Sequence, residues 1–151
     1  MILTSVGFYD NFQSEFVLIF QTDSIIRKRI NSMFFRYDWV GAPWPWHKSG
    51  PDNSGGGGGN GGLSLRRVSA IKKVCKEHGP QKVEPEDWWF KDFINPDRMP
   101  VYEIAQRFSV EHQFDENPVG LHQIWRYQSL ERMLNWFNML PGFSEFIVEE
   151  K

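Results

Sequence analysis

Glu15-Phe16-Val17-Leu18-Ile19-Phe20-Gln21-Thr22-Asp23-Ser24 is an apolar run of strand length that stops abruptly in polar residues. Its apolarity is continuous rather than alternating, so both faces of the strand must be covered. That is the pattern of a sheet sandwiched by helices, and the run reads as a buried central strand of an α/β fold. Asp23 then stands at the strand's carboxyl end, where open α/β sheets place ligands. An aspartate after a strand also serves as a turn or capping residue, and both readings stay open at this point.

Downstream, Tyr37 to Gly41 reads as a second short strand, followed by Ala42-Pro43-Trp44-Pro45-Trp46, whose prolines force extended or turn backbone and make an ordered wall. More than half of the 13 glycines then crowd into one segment, which marks residues 50–62 as a flexible glycine-rich loop. Asn60-Gly61-Gly62 adjoins structured sequence and is the part of that loop with a candidate role. From Ser64, a candidate N-cap, Leu65, Val68, Ile71, Val74, Cys75 and His78 recur at helical spacing until Gly79-Pro80 supplies a stop. Pro85-Glu86-Asp87 opens another helix with two acids in its first turn, a placement that also suits the helix dipole without any further role. Pro100 opens a short helix through Arg107, Phe108 to Glu111 reads as a strand, and Gly120-Leu121-His122 as a late loop. Leu130, Met133, Leu134, Phe137 and Leu140 form the stripe of a last helix that Pro141-Gly142 ends.

A chain of 151 residues is the size of a single domain, taken as 1–151. With 40% hydrophobic, 24% charged and 16% aromatic residues it is not a disordered chain. A net charge of −2 gives no basic field, so nucleic acid is not an expected partner. Phe16 to Phe20 is far short of the roughly 20 residues that cross a bilayer, and the N-terminus lacks a signal-peptide pattern. The chain therefore reads as soluble, without a membrane segment, and cytoplasmic as given. The lone Cys75 excludes an intramolecular disulfide and, inside an apolar helical pattern, reads as packing rather than nucleophile. Trp88, Trp89, Trp125 and Trp136 fall where core residues are expected, whereas Trp44 and Trp46 stand beside the glycine loop and are better placed to face a ligand.

Several chemistries are excluded. The glycine loop lacks the Gly-Lys-Ser/Thr ending of a P-loop, there is no Gly-x-Ser-x-Gly elbow, and the histidines 47, 78, 112 and 122 pair with nothing at zinc-ligand spacing. One constellation remains: Asp23 after a strand, Asn60-Gly61-Gly62, Glu86-Asp87 at a helix start, and His122. Taken alone, His122 reads as a solvated loop histidine, and Arg66 and Arg67 as exposed helix residues.

The segments Leu18 to Ser24, Asp38 to Trp44, Gly59 to Arg66, Pro85 to Phe90, Arg107 to Glu111 and Gly120 to His122, in that order, resemble an uncharacterised family that is similar to GT-A glycosyltransferases. The resemblance covers about residues 1–125. It implies a mixed sheet flanked by helices, the C-terminal catalytic half of a GT-A-like fold truncated at its N-terminus, because only 15 residues precede Phe16. An open sheet edge would remain, through which a homodimer could form.

The same resemblance implies transfer of a sugar from a nucleotide-sugar donor to a carbohydrate or other hydroxyl acceptor, assisted by Mn²⁺ or Mg²⁺. Asp23 matches the metal-binding Asp-x-Asp position, although Gln21-Thr22-Asp23 offers one acid where the enzymes carry two. His122 matches a C-terminal histidine that ligates the metal or touches the diphosphate. Asn60, Gly61 and Gly62 match the loop over the donor sugar, with Trp44 beside them as an aromatic wall. Glu86-Asp87 matches the acidic pair of the catalytic site, with Asp87 as the base for the acceptor hydroxyl. The competing expectation is a non-catalytic carbohydrate-binding or protein-interaction domain on the same fold.

Overall fold

The structure is a computed structural model, and it describes residues 2–45, 59–79 and 85–138. Its elements, in chain order, are α1 (Val6–Tyr9), β1 (Phe16–Phe20), β2 (Ser24–Ile26), β3 (Trp39–Gly41), β4 (Leu63–Arg67), α2 (Val68–His78), α3 (Glu86–Phe93), α4 (Tyr102–Phe108), β5 (Ser109–Val110), β6 (Gly120–His122), α5 (Ile124–Tyr127) and α6 (Leu130–Asn138). The fold is mixed α/β. Two small sheets are flanked by helices: an antiparallel one in the order β1-β4-β3, and a mixed one in the order β2-β6-β5 with β5 and β6 parallel.

The apolar run that opens the fold does cover both faces of its strand. Val17 and Ile19 pack into a cluster with Trp39, Val68, Ile71, Trp89 and Phe90, whereas Phe16 and Leu18 pack into another with Phe34, Val40, Leu65 and Phe108. The expectation of a central strand is corrected, however. β1 lies at the edge, β4 is the centre, and Phe20 is exposed at the strand's end. Apolarity reports what covers a strand's faces and carries no information on which side its backbone is paired.

The helix expected from Ser64 is also corrected. Leu63 to Arg67 is a strand paired on both sides, and α2 begins only at Val68, with Arg67 at the cap position and no capping by Ser64. Leu63 and Leu65 face one cluster while Ser64 and Arg66 face the opposite way, the period of two that a strand requires. Helix α2 stops as expected at Gly79, whose φ of 69° suits glycine and whose N–H donates to Cys75 O at 3.0 Å. Cys75 is buried in the apolar face of α2, and burial pushes its thiol up to about 11, in keeping with a packing role.

Further along, α3 begins at Glu86 with Pro85 as its cap, and α4 begins at Tyr102. Gly120-Leu121-His122 is a strand rather than a loop. Trp89 and Trp136 are core residues, but Trp88 and Trp125 are more than half exposed, against the core expectation. In α6 the fully buried residue is Trp136, Met133 and Phe137 are partly buried, and Leu130 and Leu134 of the expected stripe are exposed. The expected stop at Pro141-Gly142, Leu140, Trp46, Pro80 and residues 50–58 of the glycine loop lie outside the described residues.

The two faces of the second sheet differ in kind. Val110 and Leu121 pack with Ile25, Ile124 and Trp136, so α6 and α5 close one face. The alternate residues Ser24 and His122, paired across β2 and β6, point to the other face, toward the start of β4. Among the described residues no helix is long and apolar enough to cross a membrane.

Candidate functional site

The polar face of the second sheet meets a turn at Asn60 to Gly62, just before β4. This turn is bonded throughout. Asn60 N–H donates to Ala42 O at 2.8 Å, Asn60 Oδ1 accepts from Gly62 N–H at 2.7 Å, and Gly62 O accepts from Gln21 N–H at 2.8 Å and Ser24 Oγ at 3.0 Å. Two glycines are required by close approach. A Cβ on Gly62 would lie 2.1 Å from His122 Cε1, and one on Gly61 would lie 2.6 Å from Glu86 Oε1 and 3.2 Å from Asp87 Cβ. What these glycines make room for is thus the protein's own acid and histidine side chains.

Asp87 occupies the first turn of α3 and is buried. Its Oδ2 accepts from Gly61 N–H and its Oδ1 from Trp88 N–H, both at 2.9 Å. Burial raises its pKa and outweighs the lowering by the Gly61 bond, with Glu86 adding to the rise. Glu86 is engaged elsewhere: its Oε1 pairs with Arg66 Nη2 at 2.9 Å.

Arg66 itself is fully buried, contrary to the exposed-helix reading. It donates through Nε to Ser64 Oγ at 2.9 Å and through Nη1 to Tyr9 OH at 3.1 Å, and its guanidinium lies 3.9 Å from the centre of the Trp39 ring. Arg67 instead pairs with Asp38 at 2.8 Å, beside Arg98.

On the other side of the turn, His122 is buried rather than solvated. Its Nε2 lies 3.1 Å from Gln21 Oε1 and 3.4 Å from Asp23 Oδ1, and its Nδ1 lies 3.6 Å from Glu111 Oε1. Burial lowers the His122 pKa, so the ring is held neutral against the opposing pull of Asp23. Asp23 sits in the turn between β1 and β2. Its Oδ2 accepts from Gln123 Nε2 at 2.9 Å, and its buried Oδ1 has no hydrogen-bond partner. Gln123 adopts left-handed backbone with φ 47°, which a non-glycine residue holds at a cost of about 1–3 kcal/mol. Its side chain and its backbone N–H, 3.3 Å from Asp23 O, both hold the Asp23 turn.

Glu111 follows β5 and is the residue that sequence reading missed. It is 97% buried, its Oε2 has no hydrogen-bond partner, and its pKa is pushed up to about 7, first by burial and then by the neighbouring charges of Asp87 and Asp23, with Arg126 opposing. Gln21 and Gln123 were also missed, although each lies within two residues of an expected site residue. Trp44 is buried, edge-on to Trp88 at 6.5 Å between ring centres, so it forms part of the wall and offers no open ring face.

Among the described residues no group of three His, Cys, Asp or Glu is placed to hold a metal ion. Asp23 Oδ1 and His122 Nε2, the two donors the sequence reading assigned to a metal, face each other 3.4 Å apart.

The arrangement defines a mixed α/β protein with a histidine-and-carboxylate cluster packed against a glycine turn at the junction of two sheets. Residues 1–122 match the family described as "Protein of unknown function (DUF5672)", and the chain belongs to that family. No curated protein and no solved structure matches the chain.

Proposed function

We propose that this chain carries the catalytic half of a glycosyltransferase of GT-A type, which moves a sugar from a nucleotide-sugar donor to a hydroxyl of a carbohydrate acceptor. One observation carries the reading: four segments far apart in sequence meet at a single point. Asp23 and His122 face each other at 3.4 Å, Gly62 lies against the His122 ring, and Gly61 N–H bonds to Asp87 at 2.9 Å. A structural turn needs no such gathering of acids.

In this reading Asp87 takes the proton of the acceptor hydroxyl. Its two backbone N–H bonds orient the carboxylate, and burial raises its basicity. Glu86, neutralised by Arg66, holds the first turn of α3 and leaves the proton transfer to Asp87. Gly61 and Gly62 are packed against Asp87 and His122 and hold those groups in place beside the donor, which leaves the half-buried Asn60 as the residue of the turn that reaches it, within the wall that includes Trp44. Asp23 and His122 would hold Mn²⁺ or Mg²⁺, which when bound offsets the negative charge that builds on the departing diphosphate.

Calorimetric titration with UDP and GDP, each with and without Mn²⁺, tests the reading. Metal-dependent binding is expected, and Asp23→Ala should abolish it. Asp87→Asn should bind as the parent chain does and lose transfer to sugar acceptors; unchanged transfer in that variant removes Asp87 from the role. Sugar binding indifferent to both metal and nucleotide would favour a non-catalytic binding module.

A further inference from the structure

We infer that the cleft between Lys28, Arg29 and Arg107 is a binding site for a small molecule that carries a phosphate monoester on an apolar body. It lies at the end of the second sheet away from Asp23 and His122, since β2 runs from Ser24, opposite His122, to Ile26, opposite Gly120, and Lys28 and Arg29 follow.

Three segments far apart in sequence form the cleft and are tied by backbone. Arg27 N–H donates to Val119 O at 2.8 Å, and Val119 N–H donates to Arg107 O at 2.9 Å, which joins the chain after β2, the start of β6 and the last turn of α4. The cleft measures about 410 Å³, within the range of small-ligand sites. The buried Phe34 and Val119 give it an apolar lining, and Lys28, Arg29 and Arg107 give it charge.

That charge is unbalanced. Asp115 is the one acid among the described lining residues, and its Oδ1 already accepts from Asn117 N–H at 2.8 Å. Elsewhere the fold pairs its cations: Arg66 with Glu86, Arg67 and Arg98 with Asp38, and Lys72 with Asp10. Among the described residues neither Arg29 nor Arg107 forms such a pair, and Lys28 donates through Nζ to the uncharged carbonyl of Asn117. Burial and then the charge of Arg27 lower the Lys28 pKa, against the pull of Asp115, so its ammonium is short of counter-charge.

Three cations facing one acid, in a chain whose net charge is −2, make a local excess that a dianion neutralises. A phosphate monoester brings close to two negative charges near neutral pH and three terminal oxygens. Each guanidinium can give two parallel N–H bonds to such oxygens, and Lys28 keeps two of its three N–H groups after the Asn117 bond. A carboxylate or a sulfate ester carries a single charge and answers the same three cations less well. The apolar lining then takes the body of the ligand.

The test is titration of the full metal-free chain with phenyl phosphate, inorganic phosphate and phenyl sulfate, followed in ¹H–¹⁵N spectra. Saturable shifts are expected at Lys28, Arg107 and Val119. Phenyl phosphate should bind about fivefold more tightly than inorganic phosphate, on account of the covered ring, and more tightly than phenyl sulfate. Arg29→Gln and Arg107→Gln should each weaken it about tenfold, the size of one charge-assisted bond. Arg98→Gln, which removes an exposed arginine that is paired with Asp38, and Asp23→Ala should leave it unchanged.

Absence of saturable shifts overturns the inference. Equal weakening in Arg98→Gln, which marks a diffuse charge effect, overturns it too, as does weakening in Asp23→Ala, which puts the anion at the first site. Phenyl sulfate bound as tightly as phenyl phosphate overturns the assignment to a phosphate monoester.

Discussion

Replacing Arg66 by methionine removes a charge that is fully buried, and the consequences can be worked out partner by partner. Glu86, whose side chain is 13% exposed, loses its counter-ion at 2.9 Å, and breaking a buried pair from one side typically costs about 3–5 kcal/mol. Tyr9 OH loses its bond to Nη1, a buried hydroxyl left unsatisfied at about 1–3 kcal/mol, and the stacking on Trp39 at 3.9 Å contributes up to about 2 kcal/mol more. These losses overlap, because one relaxation serves all of them, so about 4–5 kcal/mol is expected rather than their sum. A domain of this size has about 5–15 kcal/mol in total, which puts the variant near the edge of folding. Glu86→Leu alone should cost about 3 kcal/mol for the same reason in reverse. The double variant should cost far less than the two together, because an apolar pair replaces an ionic one whose desolvation was never fully recovered. Urea denaturation of all four proteins gives the coupling energy directly. A coupling of about 3 kcal/mol is expected. A value below about 1 kcal/mol, or an Arg66→Met cost of the few tenths typical of surface arginines, would refute the burial argument.

Two further perturbations address the other side of the site. Gly62→Ala should expel the His122 ring, since the new Cβ would lie 2.1 Å from it; a loss of about 1–3 kcal/mol in urea and a shifted His122 ¹⁵N signal are expected, and an unmoved ring would contradict the packing. Stability should also fall with rising pH on account of Glu111. Its folded pKa of about 7 lies above the unfolded value near 4.5, so the folded state binds the extra proton between those values. The contribution is fully present below pH about 4.5 and is lost as pH rises through about 7, an amount of about 3 kcal/mol at 1.36 kcal/mol per unit. Glu111→Gln should flatten that slope in denaturation curves taken between about pH 5 and 8, and an unchanged slope would show that other groups produce it.

How far the sequence could be read depended on which physical quantity each pattern records. Phe16 to Phe20 announced a strand covered on both faces, because side chains at alternate positions go to two apolar clusters. Its edge position left no trace, since backbone pairing is not written in side-chain polarity. At Leu63 to Arg67 the three- and four-residue spacing of Leu65, Val68 and Ile71 extended backward from a true helix into a strand that joins it without a break. The alternation of Leu63 and Leu65 with Ser64 and Arg66 was the contrary signal, and it was only two periods long. That misreading hid Arg66, because an arginine on a helix is ordinarily solvated, whereas one on the inner face of a central strand must find partners.

The site was legible in the same uneven way. Asp23, Gly61, Gly62 and Asp87 stand in segments with a local character of their own, a strand end, a glycine turn and a helix start, whereas the Gly120 to His122 segment reads as a loop and is a strand. Glu111 reads only as the last residue of the expected strand Phe108 to Glu111; in the structure it is one acid after a two-residue strand, and its place opposite His122 follows from the parallel pairing of β5 with β6. Contacts of that kind depend on register between distant segments, and a one-residue slip would send Glu111 to the Leu121 face and into the apolar cluster around Trp136. The cost of burying an unpaired carboxylate there therefore helps to hold the register that brings Glu111 beside His122, so the acid least visible in the sequence is tied most closely to the pairing of the second sheet.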